Sequence, residues 1–283
     1  MSNKFIISSD NTCDLSKELI LKHDVKIINV GITLGDKFYD GVTEELDSLT
    51  VLEYAERTGV LPKTSAISVD EYTDYFKKLT ANGDGVIHFC ISSGSSSCYD
   101  HAMMAAKEFE NVLVVDSKQL SSGQGLLVMK AIDYRDEGMG LQECFDKIES
   151  IKHKARTSFV LDRLDFLHKG GRCSLLSLIG AKILKIHPHI AMNDGALKMK
   201  KKYPGKLLRC VEQYVADLAQ EYTDYEKRRV FITHCAASDD IVEAVKAKVL
   251  ELFDFEEIIF TTAGATVSSH CGRNTIGVLF IAE

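Results

Sequence analysis

The chain predicts two α/β domains: an N-terminal one with a largely parallel sheet flanked by helices, and a C-terminal one with a mixed sheet and helices. Three observations carry that reading. Short apolar runs alternate with helix-like stretches through the first half, as expected of strands buried on both faces of a parallel sheet. In the second half Asn193-Asp194-Gly195 sits between two strand-like runs, a strong hairpin signal that brings antiparallel pairing among αβ units. The length, 283 residues, suits two ordinary domains better than one. No linker, repeat or composition shift marks a junction, so the division is placed near Arg156, giving domains 1–155 and 156–283.

Residues 5–9 read as the first strand, and 16–23 as a short helix with Ser16 as its cap. The apolar, β-branched run 27–32 reads as a second strand. Ser68-Val69-Asp70-Glu71 fits a capping box that opens a helix to about Ala81. Strands are expected over 85–91 and 112–116, with helices over 99–109, 125–137 and 141–154. The second half reads as a strand at 157–161, Gly170-Gly171, and a helix over 174–184. A hairpin of 187–192 with 196–203 follows, then a helix over 206–221 and a strand at 230–233. A helix over 239–252 and strands near 258–261 and 277–281 close the chain.

Composition narrows the function classes. With 34 basic and 41 acidic residues the net charge is −7, which argues against a general affinity for nucleic acid or anionic membranes. No run approaches the ~18 apolar residues of a membrane span, and the N-terminus leads straight into a strand, so a cytoplasmic location is expected. The eight cysteines are scattered with no C-x-x-C pair, which reads as free thiols in a reducing compartment without structural zinc. His187 and His189 share a strand face but lack a third ligand nearby, so packing is expected there rather than a metal.

The most informative stretch is Ser92-Ser93-Gly94-Ser95-Ser96-Ser97, between a strand-like and a helix-like run. Such a turn places O–H donors beside the first N–H groups of a helix, where the dipole also favours negative charge. Neither a P-loop, a dinucleotide fingerprint, a zinc-protease helix nor a nucleophile elbow occurs. The expectation is a site that holds an anionic group.

Several segments, in order, are similar to the motifs of the DegV family. Ser9 to Leu15 resembles its opening D-S-T-x-D-L motif, and Pro62-Lys63-Thr64-Ser65 its T-S turn. Ile91 to Ala102 resembles its serine-rich segment, and Val115-Asp116-Ser117 with Ser122-Gly123-Gln124-Gly125 its next block. Leu164, Leu167, Lys169, Gly170, Gly171 and Arg172 form the most specific match, while Asp194-Gly195 and His270 are similar to later landmarks. The resemblance implies a two-domain protein that binds one long-chain fatty acid between its domains and has no other cofactor. It further implies a carrier subunit of a bacterial fatty acid kinase. The carrier offers the carboxylate to a separate ATP-dependent kinase subunit and receives acyl phosphate for phospholipid metabolism, with transient membrane contact compatible with that role. By position, Thr64, Ser96, Ser97 and His270 would hold the carboxylate, with Ser93 and Arg172 in support. Ser97-Cys98 stands where the family has Gly-Thr, and Arg273-Asn274 where it has Pro-Gly, departures that bear on acyl selectivity and partner recognition.

Energetics fit a lipid. Each buried methylene contributes about 0.8 kcal/mol, so roughly fifteen give on the order of 12 kcal/mol before ordering costs. The head group then needs only satisfied hydrogen bonds. The alternative is an acyl hydrolase or transferase using Ser96 or Cys98 with His270. Against it, no acidic residue can be assigned to orient that histidine.

Overall fold

The structure, a computed structural model, describes residues 5–41, 46–171 and 186–283, apart from the His168 side chain. The expected helix over 174–184 and Arg172 lie outside the described residues. The first half contains β1 (Ile6–Asp10), α1 (Lys17–His23), β2 (Lys26–Ile28), β3 (Gly31–Leu34), β4 (Lys37–Tyr39), α2 (Ser48–Thr58) and β5 (Lys63–Ser65). It continues with α3 (Val69–Leu79), β6 (Val86–Cys90), α4 (Cys98–Ala106), β7 (Val112–Asp116), α5 (Ser122–Asp136) and α6 (Leu141–Ile151). Then come β8 (Ala155–Arg156), β9 (Ser158–Val160), α7 (Asp165–Lys169), β10 (Ile186–Asn193), β11 (Ala196–Pro204) and α8 (Leu207–Glu221). The chain closes with β12 (Val230–Cys235), α9 (Asp239–Leu252), β13 (Ile258–Thr262), α10 (Ala265–Cys271) and β14 (Thr275–Ile281).

The fold is the two-part α/β architecture that the patterning implied. A parallel sheet, ordered β2-β1-β6-β7, forms the first part. Every residue of β6 is buried, as its apolar run requires. His88 sits in that strand beside Ser8 (2.8 Å) and among Tyr72 and Phe76, and burial lowers its pKa to about 3, so it is neutral. The second part is a mixed sheet, β11-β10-β9-β14-β12-β13 with β8 added beside β14, in which β12 and β13 run parallel and the other pairs antiparallel. The hairpin turn is the expected one: Asp194 and Gly195 both take positive φ, 49° and 77°, which matches the twist of the flanking strands. α5 lies between the two sheets, and Leu126, Leu127 and Ile132 share one core with Ile7 and Phe89 on one side and Phe231 and Leu279 on the other.

The structure corrects several expectations. The run 27–32 is two strands, not one. Asn11 Oδ1 accepts the Val30 N–H (3.1 Å) and Asn29 Nδ2 donates to Gly41 O (2.7 Å), so side chains take over where a ladder would have continued. The second piece, β3, pairs with β4 and β5 in a small antiparallel sheet absent from the sequence reading. Thr64 lies on β5 opposite Ile32, on a strand and not in a turn. Three helices are additional: α2, capped by Asp47 accepting the Thr50 N–H at 2.7 Å, α7, and α10, which carries His270. α5 starts three residues before the expected Gly125. Among the described residues no helix is long and apolar enough to cross a membrane.

Candidate functional site

Where β6 ends, the chain enters the serine turn over the carboxyl edge of the parallel sheet, the usual ligand side of such sheets. Asp10 at the end of β1 holds this turn from below. Its Oδ2 accepts the Ile91 N–H (2.8 Å), and its Oδ1 accepts Thr12 N–H (3.1 Å) and Gln124 Nε2 (3.0 Å). Burial raises the Asp10 pKa, although each of those bonds works the other way. At the next strand, Asp116 accepts the Ser93 N–H (3.1 Å) and pairs with Lys118 (2.8 Å), whose ammonium also donates to Ser93 Oγ (3.0 Å). Burial opposes ionisation of Asp116, but the bonds from Lys118 and Ser93 hold its carboxyl below the usual range.

The turn also grips the other sheet. Ser92 Oγ donates to Gly195 O (2.7 Å), and a Cβ on Gly94 would stand only 2.3 Å from that oxygen. The hairpin tip therefore rests directly on the serine turn, and glycine at 94 is what permits the approach.

A cavity of about 430 Å³ opens between these elements. Thr64, Ser93, Ser96, Ser97 and His270 all line it, so five of the six anticipated site residues share one space. Arg172, the sixth, lies outside the described residues. Thr64 Oγ1 and His270 Nε2 are 2.9 Å apart. Ser96 Oγ lies 3.2 Å from Cys98 Sγ and accepts the Cys98 N–H at 3.3 Å. Ser97 occupies the N-cap position of α4 without a side-chain bond to the helix, which leaves its hydroxyl for the cavity. Leu120, Phe159, Leu167, Leu197 and Val267 supply the apolar wall, drawn from both parts of the molecule. Burial pushes the pKa of the Cys98 thiol up, so at neutral pH it is held as the thiol.

Sequence reading missed the residue that fixes α10. Asp14, buried and in the left-handed region at φ 49°, accepts the Gly264 N–H at the start of α10 (2.8 Å) and the Ser121 hydroxyl before α5 (2.5 Å). Burial raises its carboxyl to about 7. Its only sequence signal was a place in the opening motif, two residues beyond Thr12. Among the described residues there is no cluster of His, Cys, Asp or Glu arranged for a metal, and the described cysteines are buried and unbridged. His187 faces Leu161 O (3.3 Å), while His189 stacks on Tyr203 and meets Tyr214 edge-on.

Fold and site together define a class: a two-part α/β protein enclosing an apolar cavity with hydroxyls and one imidazole at its polar end. Residues 4–283 match the family model described as "Uncharacterised protein, DegV family", and the chain belongs to the DegV family. A DegV domain-containing protein of Clostridium acetobutylicum is 30% identical over 285 residues, covering 99% of each chain. Among solved structures, a DegV family protein from Thermus thermophilus, described in terms of fatty acid binding, superposes with a TM-score of 0.90 at 23% identity, covering 99% of this chain and 100% of that one. A fatty acid binding DegV family protein from Streptococcus agalactiae gives a TM-score of 0.86 at 23% identity, with 99% of each chain covered.

Proposed function

We infer that this protein binds one long-chain fatty acid in the cavity between domains 1–155 and 156–283, with the carboxylate at Thr64, Ser96, Ser97 and His270. It then presents that carboxylate to a separate ATP-dependent fatty acid kinase subunit, which converts it to acyl phosphate for phospholipid synthesis in the cytoplasm. The observation that carries the reading is an apolar cavity of about 430 Å³ whose polar end is built from neutral hydroxyls and the His270 ring 2.9 Å from Thr64. That volume lies within the ~300–1,000 Å³ of small-molecule pockets. The descriptions of the Thermus and Streptococcus proteins support the same ligand class.

The geometry suits holding better than cleaving. Tail burial supplies the affinity, and hydroxyl donors satisfy the carboxylate without a bidentate guanidinium competing for its oxygens. For the hydrolase alternative, His270 Nε2 would have to take a proton from Ser96 or Cys98. Instead it faces Thr64, Ser96 contacts Cys98, and burial keeps the Cys98 thiol protonated. Transient contact with a membrane during loading belongs to this reading, as does the supporting role that the family resemblance implies for Arg172.

Native mass spectrometry of the purified protein should show the added mass of one fatty acid. Replacing both head-group hydroxyls, Thr64→Val with Ser96→Ala, is expected to weaken binding at least about a hundredfold, since two bonds to a charged group at about 1.5–3 kcal/mol each amount to about 3–6 kcal/mol. Kinase-dependent acyl phosphate formation should disappear with it. Unchanged affinity in the double variant overturns the head-group assignment. Ester turnover by the isolated protein that vanishes in Ser96→Ala or Cys98→Ala favours the enzyme.

A further inference from the structure

The β10–β11 hairpin reaches past the sheet that carries it. β10 pairs with β9 only at His189, Ile190 and Ala191, and the bond from Met192 N–H to Thr157 O (2.9 Å) ends that ladder. Beyond it the tip, residues 193–196, pairs only with itself among the described residues. A bulge lies at the base of this projecting part. His189 opposes Lys201 and Ile190 opposes Met199, so Lys200 is an extra residue on β11. A bulge bends and twists the strand that bears it, which sets a bend between the paired base of the hairpin and its free end.

The free end lands on the serine turn. Asn193 and Asp194 are exposed, whereas Gly195 is buried against the turn. Ser92 Oγ donates to Gly195 O (2.7 Å), and a Cβ on Gly195 would stand 2.9 Å from both Ser92 Oγ and Lys118 Cδ. The Lys118 ammonium, held by Asp116 (2.8 Å), is also attracted by the charge of Asp194. This fastening is therefore small and polar, and water offers the same groups equivalent partners once they part. The fastening around α5 is of another kind, an apolar core with the buried Arg229–Asp133 pair (2.7 and 3.2 Å) beside it. Both sides of the weaker seam also enclose the cavity: Ser93, Ser95 and Ser96 line it from the turn, and Leu197 lines it from the residue next to the tip.

We propose that the hairpin tip, residues 193–196, is a flap latched on the serine turn, and that its lifting opens the polar end of the cavity for a fatty acid to enter and leave. The inference rests on the fatty-acid reading of the cavity and adds the route of exchange. The bulge at Lys200 takes up the bend, while the Ser92–Gly195 bond and the Lys118–Asp194 attraction hold the closed form. With the closed form in the majority, a change in the open population alters both exchange rates alike and leaves affinity nearly constant.

Gly94→Ala tests this by driving a wedge into the seam. Gly94 lacks a positive φ and does not line the cavity, so its turn accepts alanine, but the added Cβ would stand 2.3 Å from Gly195 O, and backbone must give way. Stopped-flow association and release of a fluorescent fatty acid should both quicken about tenfold, within the range that overpacking strain produces, with the dissociation constant kept within twofold. Asp194→Asn, which suits the positive φ of that position (49°), removes the charge facing Lys118. It should quicken both rates about twofold at low salt, and the difference should vanish at about 1 M salt, where charges are screened within ~3 Å. If neither variant changes either rate, or if Gly94→Ala loses affinity through release alone, the flap is overturned while the fatty-acid reading stands. If the unaltered protein binds no fatty acid, both fall.

Discussion

The two walls that meet at the polar end of the cavity are anchored in opposite ways. The serine turn is held mainly by groups close to it in the parallel sheet: Asp10 on the Ile91 N–H, Asp116 on the Ser93 N–H, and Ser92 on the Gly94 N–H. α10 begins at a glycine, which offers no side chain to cap it, and the carboxylate of Asp14, 250 positions away in sequence, accepts the Gly264 N–H instead. One wall is fixed from within its own sheet, the other across the fold by a carboxylate that also bonds Ser121 before α5. Through α10, Asp14 links the opening motif of the chain to His270, a residue of the proposed head-group site.

The largest effect expected from this contrast is a pH dependence. Asp14 has its carboxyl raised from 3.8 to about 7, by burial first and then by the Asp10 charge, with Ser121 and Gly264 working against the rise. The nearby thiols of Cys13, Cys235 and Cys271 are themselves pushed up and stay neutral there. A raised carboxyl means the folded state binds the proton more tightly than the unfolded one. The stability it contributes is complete below about pH 4 and is lost as pH rises to about 7, on the order of 4 kcal/mol at full effect. His88 and His189 act in the opposite sense. Their pKa values are depressed to about 3 and about 4, so the stability they confer is lost as pH falls below ~6.5. Subtracting the unfolding free energy of Asp14→Asn from that of the unaltered protein, by urea titration from pH 4 to pH 8, removes the histidine terms. The difference should decline with rising pH and level off above neutrality. A flat difference would show that Asp14 ionises normally.

A smaller effect is expected on ligand affinity. Asp14→Ala removes the acceptor from Gly264 N–H and should weaken fatty-acid binding about tenfold, the cost of one orphaned buried donor passed on to α10. Asp14→Asn keeps an acceptor oxygen and should bind nearly as well. Equal affinities for the two variants would mean that α10 does not need this bond.

The same contrast explains what was legible in the sequence. The serine turn was readable because its causes are local: a fully apolar strand before it, a helical stretch after it, and hydroxyl residues between. The hairpin was readable because Asp-Gly has a conformational meaning wherever it occurs. α10 was not. Ala265-Thr266-Val267-Ser268-Ser269 is rich in β-branched and serine residues that favour helix poorly, and the segment is helical because burial and Asp14 override propensity. The break of the run 27–32 was hidden for a related reason: its cause, Asn11, lies outside the run that periodicity examines. Thr64 was identified through family motifs, and its pairing with His270 joins positions 206 apart. Residues that act locally were visible; of those that act across the fold, Thr64 and His270 were reached by resemblance, while the roles of Asp14 and Asn11 were not reached at all.

The smallest effect lies at a contact by which the serine turn reaches beyond its own sheet to the mixed one. Ser92 Oγ donates to Gly195 O at 2.7 Å, tying the turn to the hairpin tip of the mixed sheet. Ser92→Ala removes both the donor to that buried carbonyl and the acceptor of the Gly94 N–H (3.2 Å), and the expected loss of stability is about 1–2 kcal/mol, the ordinary contribution of two such bonds. Because Asp10 and Asp116 still hold the turn, equilibrium affinity for fatty acid should change less than twofold. The rate of fatty-acid release should rise instead, since the turn and the hairpin tip meet across the two parts that enclose the cavity. Stopped-flow displacement of a fluorescent fatty acid separates the two quantities. A fall in affinity with no change in release rate would mean that this bond shapes the head-group donors themselves, and the turn would then be no more locally anchored than α10.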